Sequence, residues 1–441
     1  MTETQFNARL NDVTRAVGQL RQEFAKSTAQ LTTLNDGIKF AQSPNLDAFG
    51  RLRVSNPLTL FDSKQVFDNQ PLIWDDSEVS GSGTTSTHSV DEARSRLAVS
   101  ATTAGKRVRQ TFMRFNYQPG KSQLAYLTGV PLVSGGGAGI VTEFGLFDDD
   151  NGIFFRYDEG TLKFVIRSNV TGSPVDTEVA QSSWNLDKFD GSGEGASLDL
   201  SKTQLLVIDL EWLGVGSVRV GWVYNGKIIY AHQFNHANIK STVYMSTPNL
   251  PLRYSIENDG TGAASSMDHN CSTVISEGGQ ARNGALRYAS TEGTHVACAS
   301  ENVVYAIIGI RLKSTHIAET VDVEKVAIQI QDGSNTGEWI VILNPTVTGT
   351  FNYTGETNSG IEVGLGTGAP TVTNGVRLDG GFAQSSTGGG GSGGGTEAVL
   401  NAIRLGAAID GTVDEIVLCW MPNGGTSAHE IEGSIHWREL S

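Results

Sequence analysis

Cysteine is scarce in this chain: Cys271, Cys298 and Cys419 are the only three in 441 residues. So small and scattered a set excludes a disulfide framework and a cysteine-built metal site, and reads as reduced thiols. Positive charge is short as well, with 32 Lys and Arg against 47 Asp and Glu and a formal net charge of −15. No basic run occurs, which argues against a nucleic-acid surface. No apolar stretch is long enough to cross a bilayer as a helix, so no membrane insertion is expected. The opening residues, MTETQFNARL, lack signal-peptide anatomy, and folding is expected to begin in a cytoplasm. Charged residues make up 18%, little for a helical protein, whereas 53 glycines with abundant Ser, Thr, Asn and Val suit short strands and tight turns.

One stretch departs from that composition. From Phe6 to Ile38, apolar residues recur at alternating steps of four and three: Phe6, Leu10, Val13, Val17, Leu20, Phe24, Leu31, Leu34 and Ile38, with Ser27 as the one interruption. A 3.5-residue period held over four heptads predicts a coiled coil rather than a helix packed on its own domain. Only two β-branched residues, Val17 and Ile38, take the first seam position, and Phe24 is bulky, which leans toward three strands. The chain is therefore expected to be an oligomer of itself, a homotrimer, hung from a helical bundle over residues 1–43.

Ser43-Pro44 ends the helical pattern, because the residue before proline is driven out of the α region. Residues 44–89 are expected to be an extended arm followed by a polar loop. On the arm, Arg51, Arg53 and Phe61 are the candidate contacts for a partner. From Ala93 the pattern is continuously β. The turn Asp148-Asp149-Asp150-Asn151-Gly152 separates strands within Thr142–Tyr157, Asp158-Glu159-Gly160 leads into Leu162–Arg167, and Asn225-Gly226 marks a second hairpin. Many short strands without intervening helices predict a β-sandwich or jelly roll over residues 90–320, with Val303–Lys313 as its last strand. A smaller β domain is expected over residues 321–441, interrupted by the glycine-rich stretch Ser385–Thr396. The fold class is mainly β, headed by a helix.

Chemistry-bearing motifs are sparse. His232 and His236 would share one face of a strand about 13 Å apart, too far for one metal. The Asp148–Asn151 turn has oxygens for calcium but no twelve-residue loop, and Asp and Asn favour turns for their own reasons. Asp209 and Glu211 could be the carboxylate pair of a glycosidase or simply an exposed sheet face. No phosphate loop or nucleophile elbow occurs. Neither a catalytic residue, a metal nor a cofactor is therefore expected, and tryptophans such as Trp184, Trp212 and Trp222 are either core residues or platforms for sugar rings.

Three stretches look familiar together: Ala48-Phe-Gly-Arg-Leu-Arg-Val-Ser55 with Thr59-Leu-Phe-Asp-Ser-Lys64, Asp209-Leu-Glu-Trp-Leu-Gly-Val-Gly216, and Cys271-Ser-Thr-Val-Ile-Ser-Glu-Gly-Gly279. Over roughly residues 45–315 the combination resembles structural proteins of tailed-bacteriophage virions. The meander also resembles the concanavalin-type sandwich of many lectins. The first resemblance implies a non-enzymatic fibre or capsid decoration located in the virion and joined to other virion proteins through its N-terminal region. The alternatives are an adhesin that binds host-surface glycan and a polysaccharide depolymerase. The latter usually carries β-helix repeats that are absent here.

Overall fold

A computed structural model describes residues 13–19, 56–193, 195–331, 334–385, 391–393, 404–425 and 428–440. Residues 13–19 are helical, and Val13 and Val17, one turn apart, are both exposed. The heptad residues Phe6, Leu10, Leu20, Phe24, Leu31, Leu34 and Ile38, and the arm residues Arg51 and Arg53, lie outside the described residues.

Residues from Asn56 onward form one compact unit with two β bodies. The first body contains β1 (Leu58–Lys64), β2 (Trp74–Gly81), β3 (Thr84–Ser89), β4 (Arg94–Val99), β5 (Ala104–Thr111), β6 (Gln123–Ser134), β7 (Ile140–Phe147) and β8 (Gly152–Asp158). It continues with β9 (Thr161–Ser168), β10 (Val175–Ala180), β11 (Gln204–Leu210), β12 (Val218–Tyr224), β13 (Lys227–Phe234), β14 (Leu252–Asp259) and β15 (Ser265–Ser276). One sheet has the order β13-β12-β11-β6-β15-β4-β3, with β1 added on β15; the other has the order β10-β9-β8-β7-β14-β5-β2. All neighbours are antiparallel. The predicted meander is β7-β8-β9, and the Asn225-Gly226 hairpin joins β12 to β13 with positive φ at both residues, as a tight primed turn requires.

Between the sheets lies a core dense in aromatic rings. Trp222 meets Phe144, Phe155 and Phe164 at centroid separations of 5.9, 5.0 and 6.2 Å. Such rings bury large apolar areas and favour offset or edge-on contacts.

The second body contains β16 (Ala285–Ser290), β17 (Val296–Cys298), β18 (Tyr305–Leu312), β19 (Thr320–Ile330), β20 (Thr336–Leu343) and β21 (Thr346–Gly355). It is completed by β22 (Ile361–Thr373), β23 (Val376–Gln384), β24 (Gly391–Gly393), β25 (Glu415–Gly424) and β26 (His429–Leu440). Its sheets run β16-β26-β19-β24, with β17 also on β26, and β21-β22-β18-β25-β20-β23. Part of the glycine-rich stretch is thus strand β24 rather than loop, paired with Ile328–Ile330.

Three expectations change. First, the boundary near residue 320 lies earlier, between β15 and β16, because β18 pairs with β22 and β25 of the second body. Its run Tyr-Ala-Ile-Ile-Gly-Ile-Arg-Leu marks a central strand, but a central strand carries no label for the sheet it enters. Second, the polar loop at 76–90 is two edge strands, β2 and β3, one in each sheet. Its Ser- and Thr-rich strands pair with β5 and β4. Third, Phe61 is not on a free arm: it is buried in β1, 5.1 Å from the Phe115 ring and 6.1 Å from that of Trp74.

What holds β1 and β2 in place is a buried cation. Arg109 of β5 points into the sandwich and is fully buried. Its guanidinium donates to Asp76 Oδ2 at 3.0 Å, Gln65 Oε1 at 2.9 Å, His269 Nδ1 at 3.2 Å and the Asn69 carbonyl, and lies over the Trp74 ring. Arg107 donates to the other Asp76 oxygen at 2.7 Å. Because Arg109 supplies a proton to His269 Nδ1, that imidazole carries its own hydrogen on Nε2, which faces Ser272 Oγ at 3.2 Å. Burial and the neighbouring guanidinium push the His269 pKa well down, so the ring stays neutral.

Candidate functional site

The seven-stranded sheet has a second face, turned away from the core. Side chains alternate along each strand, so residues between the core positions face outward. Phe147, Phe154 and Val165 form a separate apolar cluster there. Arg156 and Arg167 lie over the Phe154 ring, and Arg253 over that of Phe147. Around it runs an ion-pair network. Glu143, 4% exposed, accepts from Arg156 Nε at 2.7 Å and Ser255 Oγ at 3.0 Å. Asp176 accepts from Arg167 Nε at 2.8 Å and Arg156 Nη2 at 2.8 Å. Burial alone would raise the Asp176 pKa; the two arginines hold it below its ordinary value. Every carboxylate of this set is bonded to a cation, and none is positioned as a free acid or base.

At one end of this face a cleft of about 730 Å³ opens between the two bodies. Asp75, Ser77, Glu78, Val79 and Ser80 of β2 form one wall, with Lys106 and Val108 of β5 beside them. Asp149 and Arg253 close one side, and Ala408, Ile409 and Asp410 of the second body face them. The loop carrying the last three is held at both ends. Ile409 N donates to Asp75 Oδ2 at 2.8 Å, and Ala407 N to the Phe112 carbonyl at 3.0 Å. Gly406 sits so close that a Cβ there would lie 2.3 Å from the Phe112 oxygen. Gly406 N donates to Asp414 Oδ2 at 3.1 Å, while Asn344 Nδ2 donates to Asp414 Oδ1 at 2.7 Å. Inside the turn, Ala408 N reaches Thr412 O at 2.8 Å.

Both cations of the cleft have carboxylate partners. Lys106 Nζ is 3.1 Å from Glu257, and Arg253 is paired with Asp149 while also donating to Gln110 Oε1 at 2.8 Å. Asp75, Glu78 and Asp410 add further negative charge. A phosphate or nucleic-acid ligand would meet repulsion here, whereas a neutral ligand rich in hydroxyls would find donors and acceptors already oriented.

Other sequence candidates have structural employment. Asp209 is buried and accepts from Ser122 Oγ at 2.7 Å, Tyr230 Oη at 3.0 Å and Arg219, while Glu211 falls beyond the end of β11. The Asp148–Asn151 turn is surrounded by Arg114, Arg167 and Arg253, a setting hostile to a second cation. His232 accepts from Asn185 N at 3.3 Å, and His236 bonds the Gly216 carbonyl at 2.7 Å. Among the described residues no group of three or more His, Cys, Asp or Glu could hold a metal ion. Six of the tryptophans are buried, and Trp212 is partly buried with its Nε1 donating to Met245 O, so a tryptophan platform for sugars is not part of this surface. Sequence reasoning missed the cleft because Asp75 and Ile409, which join its two walls, lie 334 residues apart.

No protein-family model matches the chain, and no curated protein matches it. Among solved structures, it is similar to the endo-1,3-beta-glucanase of Streptomyces sioyaensis, at 9% identity and TM-score 0.35 over 52% of this chain and 99% of that one. The Emp47p carbohydrate recognition domain aligns at 11% identity and TM-score 0.31, covering 54% and 99%. The CBM2 module of the Lactobacillus casei BL23 phage J-1 evolved Dit aligns at 8% identity and TM-score 0.34, covering 52% and 100%. At such identities and scores these likenesses have no bearing on function.

Proposed function

We propose that this chain is a non-enzymatic surface component of a tailed-phage particle that recognises a neutral, hydroxyl-rich host glycan in the cleft between its β bodies. The observation that carries the recognition reading is the cleft itself: two walls from distant parts of the chain, a loop clasped to both, and cations neutralised in advance. Pre-oriented polar groups lower the ordering cost of binding. The particle assignment is supported by the N-terminal heptads and the resemblance of residues 45–315. In this reading the N-terminal coil makes a homotrimer and attaches it to other virion proteins. Three copies of a weak site would then bind a multivalent surface with avidity.

The test is calorimetric titration of the full chain with a panel of bacterial surface polysaccharide fragments, together with a Lys106→Ala variant. The expected result is saturable binding to a neutral fragment, weakened about ten-fold in the variant with the melting temperature unchanged. A flat response across the panel would remove the recognition reading. Light scattering and mass spectrometry of purified particles test the rest: a monomer absent from particles would remove the trimeric virion role.

A further inference from the structure

A second cavity lies on the open side of the first body, where the outermost strands of its two sheets, β10 and β13, face each other. It measures about 340 Å³, at the small end of ligand sites. Ile166 and Phe234, both buried, form an apolar floor. Thr171 and Thr177 stand exposed at the rim, with Lys240 at the mouth.

Its distinguishing group is His236, 4% exposed yet lining the cavity. The ring stacks on Tyr244 at 4.1 Å and 12°. Its Nδ1 is 2.7 Å from the Gly216 carbonyl, so Nδ1 carries the hydrogen. The backbone around it is fixed too, since Ile239 N and Lys240 N both donate to the His236 carbonyl at 3.0 Å. Burial lowers the imidazole pKa and keeps the ring neutral. Nε2 is then an acceptor with no hydrogen-bond partner among the described residues. A histidine serving only the core needs no acceptor held in this way beside an empty space.

We infer that this side cavity is a second binding site, independent of the inter-body cleft, for a single neutral sugar ring, which would lay its apolar face on Ile166 and Phe234 and donate a hydroxyl to His236 Nε2. A pyranose has the matching character, one apolar face and a hydroxylated rim. One exposed lysine at the mouth does not make an anion site.

The experiment is saturation-transfer NMR on the full chain with glucose, galactose, mannose and N-acetylglucosamine, each alone. Two variants accompany it. His236→Phe keeps a ring but deletes the acceptor, and Val175→Trp plugs the mouth from an exposed strand position without touching the floor. At least one sugar is expected to show transfer, with affinity reduced about ten-fold in His236→Phe and transfer abolished in Val175→Trp. Lys106→Ala is expected to leave this signal intact, which separates the site from the cleft. No transfer from any of the four sugars, or undiminished transfer in Val175→Trp, would overturn the inference. Should His236→Phe fail to fold, the Val175→Trp result decides alone.

Discussion

The two β bodies solve the same packing problem with different interiors. The first is built on aromatic rings and takes an arginine, Arg109, into its core, while Arg253 is buried on the outward face of the seven-stranded sheet. The second is built on branched aliphatics such as Ile307, Ile308, Ile310, Val326 and Ile328; its buried charged residues, among those described, are the carboxylates Asp322, Asp414 and Glu439. The difference follows from what each interior must hold. The first body has to fix an incoming segment, β1–β2, whose groups come from several directions. A guanidinium with five donors can satisfy carboxylate, amide, imidazole and carbonyl acceptors at once. In the second body the buried carboxylates gather mixed donors: Asp414 accepts from Gly406 N and Asn344 Nδ2, Glu439 from Gly360 N, Ser359 Oγ and Trp437 Nε1, and Asp322 pairs with Arg404 at 3.0 Å.

The comparison breaks first at Arg109. Replacing it with Met takes one donor each from Asp76, Gln65 and His269 and removes the charge that balances Asp76 from inside the sandwich, and a loss of about 3–5 kcal/mol is expected by urea denaturation. A cost under about 1 kcal/mol would mean the buried cation is incidental to the clasp. Next comes the loop of the second body. Gly406→Ala forces a Cβ against the Phe112 carbonyl and is expected to cost about 1–3 kcal/mol. Hydrogen exchange at Ile409 N should rise, and binding in the cleft should weaken.

A smaller effect separates the bodies by pH. Burial, and then the charge of Glu439, push Glu319 up to about 7, while Lys313 opposes the shift. The folded pKa lies above the unfolded value, so this group's contribution is full below about 4.5 and is lost as pH rises through 7. Glu319→Gln should therefore raise the unfolding free energy at pH 8 by an amount on the order of 1 kcal/mol given partial screening, and leave it unchanged near pH 4. An equal effect at both values would point away from ionisation. The least effect is expected at the β12–β13 hairpin, where Gly226 has φ +75°. Gly226→Ala should cost roughly 0.5–1 kcal/mol in the same denaturation assay, without altering ligand binding.

Local features were legible in the sequence wherever they depend on neighbours in the chain. The Asn225-Gly226 turn, the β7-β8-β9 meander and the mainly β class follow from turn chemistry and a two-residue period, because both act over a few residues. The heptad residues from Phe6 to Ile38 are also a local pattern, but all of them except Val13 and Val17 lie outside the described residues. Only the tertiary structure decided which sheet each strand joined, because strand pairing depends on partners far along the chain. So β18 went to the second body, and the Ser/Thr-rich β2–β3 stretch, polar enough to pass for a loop, became two strands once β4 and β5 offered it ladders. Phe61 turned inward because Trp74 and Phe115 enclose it. The candidate site was the least legible part of all. Asp75 and Ile409 meet across a separation that no local pattern encodes, and His236 becomes an acceptor beside a cavity only because Gly216 and Tyr244 fix its ring.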